Sequence, residues 1–390
     1  MSRLRMAVPP VAAALSLLLT SVAASAQTAQ PATVREGAVR LLARHFGGPG
    51  DATVDYVGQL LARTIGTVPP GGMPLDPMPA PARARALALS VAYQRLAFRT
   101  FEGIDLDGGN LSSFSGGLAR TPITYVTTAN LSADVITLFA AASLSPRLAL
   151  TVRAPVVRLR MSGELQAIED RGTSSEERAA NPVRVAASSF SGLGDVTTAV
   201  RWRLLERDRV RLAGLAGIRW PTGDQENLIG AGEMVPEAGV LASMTAADAL
   251  TVDVAVSFAN GHGTKMGEFS ALPFSGPIVT SARPLDTWTY GTAARWTPHP
   301  RVSVHGHVVF ETMLQAVAYD RAAVRSASAV QQESRLIPRP SALTVGSGGM
   351  AVLFHVAGSA FATVGMTAPL TAARGLQAGV TPRISLQLGR

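Results

Sequence analysis

Hydrophobic and polar residues alternate one by one over many short stretches of this chain. Between residues 210 and 220, apolar or small residues occupy the even positions, and Arg211 and Arg219 occupy odd ones. Residues 250–259 alternate in the same way. Successive side chains of a strand point to opposite faces, so this pattern predicts strands with one apolar and one polar face. Each stretch has about the ten residues that a tilted membrane-spanning strand needs.

Twelve such strands are predicted along the chain. They cover residues 87–99, 122–142, 148–161, 194–205, 210–220, 235–245, 250–259, 285–297, 301–312, 341–356, 360–370 and 378–388. The predicted fold class is all-β, a transmembrane antiparallel up-and-down β-barrel of about twelve strands. An even number of strands places both ends of the barrel on the periplasmic side.

The connections between these strands alternate between short and long. Short turns are predicted at residues 143–147, 206–209, 246–249, 298–301 and 357–359. Long polar loops are predicted at residues 162–193, 221–234, 260–284 and 313–340. Tight turns on one side and long loops on the other are typical of an outer-membrane barrel, with the turns in the periplasm.

Aromatic residues test this topology, because they gather at the two lipid interfaces of a membrane barrel. All four tryptophans lie on the apolar face of their strands. The residues predicted at the periplasmic interface are Trp202 and Trp296, and those predicted at the outer interface are Trp220, Phe258, Trp288, Tyr290 and Phe310. The alternative is a soluble β-sandwich, which would place its aromatic residues in the middle of the strands.

The amino-acid composition excludes several classes of protein and of functional site. The chain has 390 residues, of which 47% are hydrophobic and 16% charged, and it contains no cysteine. Disulfide scaffolds, cysteine-based zinc sites and cysteine nucleophiles are therefore excluded. The formal net charge is +8, but no basic stretch interleaved with aromatic residues is present, so nucleic acid is not an expected partner.

The first residues have the three parts of a secretory signal peptide. Arg3 and Arg5 form a basic start, an apolar segment follows at residues 11–22, and Ala24-Ser25-Ala26 is a cleavage site of small residues. We expect cleavage after Ala26, which makes residues 1–26 the signal peptide. A membrane anchor is the alternative. Together with the strands, this segment predicts the outer membrane of a Gram-negative-type bacterium.

Residues 27–85 differ in character from the barrel at residues 86–390. Apolar positions spaced by three and four predict two short amphipathic helices, over Thr33–Phe46 and Thr53–Ile65. A Pro-rich linker follows at residues 69–81. Two interpretations stay open: this short helical N-terminal part is a periplasmic extension, or it is a plug inside the lumen.

Charged residues on the polar face of the strands predict a basic lumen. The predicted lumen or substrate-path residues are Arg153, Asp195, Arg201, Arg203, Arg211, Arg219, Asp253, Arg295, His305, His307, Glu311 and Arg383. The arginines among them outnumber the acids, which would raise the local concentration of anionic solutes. His305 and His307 place two imidazoles on one strand face, with Glu311 further along, but lumen faces need polar residues anyway and no third ligand is identifiable beside the two imidazoles, so neither a metal nor a cofactor is predicted.

Two Gly-Asp segments mark points where strands leave the bilayer. Asp195 follows Gly194 and opens a strand, while Asp224 follows Gly223 at the outer end of the neighbouring one, near Arg219. We expect a carboxylate and a guanidinium to pair at this rim and to set the loop conformation. A substrate gate is the sharper alternative.

These segments carry a resemblance to a known family. Gly192-Leu193-Gly194-Asp195-Val196, the strand end Arg201–Leu205 and the segment Trp220-Pro221-Thr222-Gly223-Asp224 resemble the outer-membrane barrels of the putative phenol-degradation MetA-pathway family. Residues 82–94 and 101–106 resemble the first strand and loop of the same proteins. The resemblance implies a transporter-like channel for aromatic or other hydrophobic small molecules. The chain departs from such barrels in lacking an aromatic residue at its end, where Leu388 stands.

The function predicted from these observations is an outer-membrane channel or transporter for small molecules. No catalytic residue is assigned, because G-x-S-x-G, H-E-x-x-H and P-loop motifs are absent. The alternatives are an outer-membrane hydrolase and a structural or adhesin barrel without transport. The expected partners are outer-membrane lipid and lipopolysaccharide, the barrel assembly machinery and a small-molecule solute.

Overall fold

A computed structural model describes most of the chain outside the first 32 residues. The described residues are 33–42, 45–46, 50–66, 87–109, 111–117, 120–170, 178–271, 274–325, 331–371 and 374–389. The predicted signal peptide with its cleavage site at Ala26 and the Pro-rich linker at residues 69–81 lie outside the described residues.

Two helices precede eighteen strands in the described chain. The helices are α1 (Val34–Leu42) and α2 (Gly50–Gly66). The strands are β1 (Leu87–Phe101), β2 (Ile104–Asp105), β3 (Leu111–Gly117), β4 (Arg120–Ser145), β5 (Leu148–Asp170), β6 (Arg178–Leu193), β7 (Val196–Arg207), β8 (Val210–Trp220), β9 (Val235–Ala247), β10 (Leu250–Ala259), β11 (Lys265–Ala271), β12 (Phe274–Ser281), β13 (Thr287–His299), β14 (Val302–Arg325), β15 (Gln331–Ala357), β16 (Ala360–Pro369), β17 (Leu376–Ala378) and β18 (Thr381–Gly389).

The main sheet closes on itself into a barrel. Strand β1 pairs with β4 on one side and with β18 on the other, and every neighbouring pair between them is antiparallel. Strands β6 and β7 act as one barrel strand interrupted at Gly194-Asp195, because both pair with β5 in turn. The circuit β1-β4-β5-β6/β7-β8-β9-β10-β13-β14-β15-β16-β18 has twelve strands, which confirms the predicted fold class.

Two of the four predicted loops were wrong because they continue barrel strands, and a third, residues 260–284, contains the separate hairpin of β11 and β12. Most of residues 162–193 belongs to the hairpin of β5 and β6, and most of residues 313–340 to the hairpin of β14 and β15, whose pairing continues out to Arg325 and Gln332. Their polar composition suggested loops, but a strand pair in water needs no apolar outer face to keep its backbone hydrogen bonds. The barrel wall therefore rises well beyond the membrane on the side opposite the short turns.

Each barrel strand has one buried face and one exposed apolar face. On β1, Leu96 and Phe98 are buried, while Leu87, Leu89 and Tyr93 are exposed. Residues paired across antiparallel strands point to the same side, so the registers extend these two faces around the barrel. An exposed apolar outer face on a closed barrel is the arrangement that a lipid bilayer requires.

The buried faces of the two helices pack against residues on the buried faces of the barrel strands. Helix α1 begins after Thr33, whose Oγ1 accepts a hydrogen bond from the backbone N–H of Glu36 at 3.1 Å and caps the helix. Its buried Leu41 packs against Gly163 of β5, where no side chain could fit. Helix α2 packs against Leu228 of the 221–234 loop. Within the described residues, neither helix is long and apolar enough to span a membrane.

Candidate functional site: the lumen wall

The strand registers put the predicted lumen residues on the inward face. Arg201 pairs with Leu215, and Arg203 pairs with the buried Ala213, on the side opposite the exposed Trp202. The same parity holds for the other predicted strand residues, and Asp195 lies at the break between β6 and β7 with 4% of its surface exposed. The inward placement of these residues follows from the alternation along each strand. A strand in a closed barrel has one outward and one inward face, and the polar residues lie on the face opposite the apolar, outward one.

One cross-strand row brings several of these residues to one level of the wall. The pairings run Arg295–His305–Ala351–Gly365–Arg383–Gln94 across strands β13, β14, β15, β16, β18 and β1. The residues between His305 and Arg383 are small, so the wall recedes between these two side chains. Along β14, His307 lies with its ring across Gly349 of β15, where a Cβ atom would stand 2.3 Å from the ring.

A cavity opens in the receding part of this wall. It is lined by His305, Ala351, Leu353, Thr363, Gly365, Met366, Thr367, Arg383, Ser90, Ser385 and Gln387, and its unfilled space, including the part open to the lumen, is about 540 Å³. The Nε2 atoms of His305 and His307 and the side-chain amide nitrogen of Gln94 are buried and have no hydrogen-bond partner among the described residues. This part of the wall is rich in hydrogen-bond donors, as a site for an anion or a polar solute group would be.

At the outer end of the lumen, the barrel binds helix α2. The Nη2 atom of Arg63 lies 2.8 Å from the carboxylate of Glu311, and its Nη1 donates a short hydrogen bond to Thr287. The hydroxyl of Tyr56 accepts a bond from the backbone N–H of Val317 at 3.1 Å and donates one to its carbonyl. Burial raises the pKa of Tyr56, which therefore stays neutral and can fill both roles.

Asp195 organises the rim, although not in the way expected. Its two carboxylate oxygens accept backbone hydrogen bonds from Gly223 at 3.0 Å and Ala231 at 2.8 Å. Arg219 lies in electrostatic range of Asp195, but within the described residues it forms no ion pair within 4 Å with Asp195 or Asp224, so the expected direct carboxylate–guanidinium contact was wrong. A carboxylate that can bind backbone N–H groups directly needs no guanidinium to hold the loop.

The second Gly-Asp segment links the rim to the helices. Asp224 accepts hydrogen bonds from the backbone and side-chain amide of Asn227, and the Asn227 oxygen accepts one from the N–H of Val34 at 3.3 Å. Gly223 is required because a Cβ there would stand 2.5 Å from the carbonyl of Ile229. The two segments therefore form one continuous network from the wall to the first turn of α1.

Several inward charged groups have charged or hydrogen-bonding groups close to them. At the periplasmic end, Glu206 lies 2.5 Å from Arg203 and 3.4 Å from Arg211. Asp253 is hydrogen-bonded to Ser243 and lies in electrostatic range of Arg295 and Arg201. Arg153 donates a hydrogen bond to Thr197 at 3.2 Å. Within the described residues, no group of three His, Asp or Glu side chains comes together that could hold a metal ion.

The predicted interface aromatics lie on the outward face. Trp202 and Trp296 pair with Leu148 and Leu250, next to short periplasmic turns, and are more than half exposed. Trp220, Trp288 and Tyr290 are also exposed on outward positions at the opposite end of their strands. Two ring pairs join neighbouring strands there: Phe258 with Trp288 at a centroid distance of 4.9 Å, and Tyr290 with Phe310 at 5.7 Å.

Among the described residues, two charged residues that contact or face the lumen wall were not predicted. Glu237 on β9 is inward, because it pairs with Gly217 of β8, and it lies in electrostatic range of Arg153 and Arg219. The alternation along 235–245 contains the signal for Glu237. Arg63 belongs to a helix whose position inside the barrel could not be read from periodicity.

The fold defines the class: a closed antiparallel barrel with an apolar outward face, the architecture of outer-membrane β-barrels. No family model matches the chain, and no curated protein matches it, so the resemblance to the MetA-pathway family stays a prediction. Among solved structures, the chain is similar to an outer membrane channel from Pseudomonas putida F1, with 12% identity over 83% of this chain and 100% of that one and a TM-score of 0.48. It is also similar to the toluene transporter TbuX of Ralstonia pickettii, with 10% identity over 90% and 97% of the two chains and a TM-score of 0.37.

Proposed function

We propose that this protein is an outer-membrane channel for small molecules whose inward wall favours anionic solutes and amphipathic aromatic compounds that carry a carboxylate. The observation that carries the proposal is the row of inward residues from Arg295 through His305 to Arg383, beside a cavity lined by hydrogen-bond donors. A guanidinium inside a low-dielectric wall attracts an anion more strongly than the same group does in water.

The aromatic part of the proposal comes from the sequence resemblance to the MetA-pathway family. Apolar residues are also available beside the donors, since Leu353 lines the same cavity as Arg383 and Ser385. A solute with a ring and a carboxylate would place its ring on the apolar part and its charge on the donors. This is the usual division of a small-molecule site into a mainly apolar lining and a few orienting polar groups.

The N-terminal helices are proposed to act as a plug in the outer half of the lumen. Their buried side chains pack against inward residues of β4 and β5, such as Leu131 and Leu159, rather than against water. The ion pair between Arg63 and Glu311 and the bonds of Tyr56 to Val317 fasten α2 to the wall. Solutes would pass only beside the helices or after these contacts open.

Solute flux into liposomes that contain the purified full mature chain tests the proposal. Three aromatic solutes of similar size carry a negative, a neutral and a positive polar group: benzoate, benzyl alcohol and benzylammonium. Radiolabelled benzoate should enter faster than benzylammonium, after subtraction of the flux into protein-free liposomes. Equal rates for the two ions, or faster entry of benzylammonium, would contradict the proposed selectivity, and no protein-dependent flux of any solute would contradict the channel.

A cavity variant and a matched control outside the cavity sharpen this assay. Arg383→Gln should reduce benzoate flux and leave benzyl alcohol flux close to that of the wild type. Arg209→Gln changes an exposed arginine in a short periplasmic turn and should leave all three rates unchanged.

A further inference from the structure

Three arginines point away from the lumen on β1 and β5, the two strands that flank β4. They are Arg95 on β1 and Arg158 and Arg160 on β5. The residues beside them in sequence, Leu96, Val157 and Leu159, are buried with at most 5% of their surface exposed. Because side chains alternate along a strand, the arginines project from the outer surface of the barrel.

These arginines begin where the apolar outward face ends. On β5, the outward residues from Leu148 to Val156 are all apolar over nine residues, which is the length of a membrane-crossing strand. The next outward residue is Arg158, which lies in one cross-strand row with Asp134 of β4 and Arg95 of β1. The row before it, towards the periplasm, is Tyr93, Ile136 and Val156. The change from apolar to charged residues therefore occurs at one level on three strands.

One carboxylate lies among the three guanidinium groups. Asp134 lies 3.1 Å from the Nη2 atom of Arg160 and 4.0 Å from the Nε atom of Arg95, and it accepts a hydrogen bond from the Tyr93 hydroxyl at 2.9 Å. Arg158 is exposed and forms no ion pair with any residue in the described ranges. The side chains of Arg95 and Arg160 remain 59% and 41% exposed. The cluster thus keeps an excess of positive charge and free donor groups.

We propose that Arg95, Arg158 and Arg160 form a binding site for a phosphate group of lipid A, the membrane anchor of lipopolysaccharide. Guanidinium groups bind phosphate in a bidentate geometry that lysine cannot offer, and all three cations here are arginines. The site lies on the side of the barrel opposite the short periplasmic turns, at the edge of the apolar face. If an acyl chain of lipid A lay against Tyr93, Ile136 and Val156, the phosphate of that lipid would lie level with the three arginines. The inference rests on the outer-membrane location and not on what the lumen transports.

Binding of lipid A to the purified full mature chain in detergent tests the site. Native mass spectrometry compares bisphosphorylated lipid A with the same lipid after enzymatic removal of its phosphates. The wild type should bind the phosphorylated form at least about tenfold more tightly, as expected for one or two charge-assisted hydrogen bonds. The double variant Arg158→Ala/Arg160→Ala should lose this preference, and Arg158→Lys/Arg160→Lys should recover only part of it.

The matched control is Arg207→Ala/Arg209→Ala, which removes two exposed arginines at the opposite rim and should bind like the wild type. A gel shift on heating shows, for every variant, that the barrel is folded. A wild type without preference for the phosphorylated lipid would overturn the proposal. So would a double variant that keeps the full preference, or a control variant that loses it equally.

Discussion

The guanidinium of Arg63, near the end of α2, lies 2.8 Å from the carboxylate of Glu311 on the barrel wall. The two side chains are 10% and 17% exposed, so the pair is mostly removed from water. Breaking a buried ion pair by removing one partner is costly, because the remaining charge stays desolvated. This ion pair therefore joins the proposed plug to the barrel in a largely buried environment.

Removal of Arg63 should loosen α2. We expect Arg63→Ala to cost about 3 kcal/mol of local stability and to speed hydrogen exchange in α2 by about a hundredfold, as judged from buried ion pairs. Hydrogen exchange with mass spectrometry measures this directly. Arg339→Ala is the control, because Arg339 pairs with Asp320 at the surface, where a salt bridge contributes about 1 kcal/mol or less. If α2 exchanged its amide hydrogens at the same rate in Arg63→Ala and in the wild type, the ion pair would not stabilise the position of α2.

Asp195 should be essential for the outer rim. In Asp195→Asn, one carboxylate oxygen becomes an amide that cannot accept a hydrogen bond, so the N–H of Gly223 or Ala231 loses its partner. We expect a loss of about 2 kcal/mol in the free energy of unfolding, within the range for hydrogen bonds to charged groups. Urea unfolding in detergent micelles measures it. Asp248→Asn, in an exposed periplasmic turn, should change stability little, and a similar loss in both variants would argue against a special role for Asp195.

All four tryptophans should contact lipid near the two interfaces. Their side chains are 38–57% exposed on the outward face and lie near strand ends. Lipids brominated close to the headgroup should therefore quench tryptophan fluorescence more strongly than lipids brominated near the chain ends. Stronger quenching by the deep bromines would place the rings at the bilayer centre, and no quenching by either lipid would remove them from the membrane.

Glu102 should make the barrel's outer end sensitive to pH. Burial raises the pKa of this carboxyl above its ordinary value of 4.5, although Gly375 and Arg374 oppose the shift. The stabilising effect of the neutral form is complete below pH 4.5 and is lost as the pH rises through the higher pKa of the folded state. Over that window, the wild type should lose stability relative to Glu102→Gln. A difference in melting temperature between the wild type and Glu102→Gln that stays the same at every pH would contradict this.

The strands could be predicted because alternation and turn residues are properties of neighbouring positions in the sequence. Strands β8 and β10 have the predicted ends, 210–220 and 250–259, since turn residues adjoin both strands and each keeps one apolar face in lipid. The strand extensions of β14 and β15 were missed because Val317 and Leu336 face protein rather than lipid, and no simple period marks them. Alternation of apolar and polar residues marks a strand only where one face of the strand contacts a uniform surrounding such as lipid.

The candidate site also has a part that could be predicted from the sequence and a part that could not. The inward arginines follow from alternation, whereas their partners depend on which strands become neighbours. Arg295 and Arg383 belong to one row only because β15 and β16 contribute the small residues Ala351 and Gly365 between them. The contacts of Arg63 and Asp195 cross 248 and 36 residues of sequence, and no local pattern could have paired them.

The measurement that tests the central claim most directly is the reversal potential of the full mature chain in a planar bilayer under a gradient of potassium chloride. A channel lined by inward arginines should pass chloride more readily than potassium, and Arg383→Gln together with Arg295→Gln should shift the potential towards zero. Selectivity for potassium, or no current from a protein shown to be folded, would contradict the account of a basic channel.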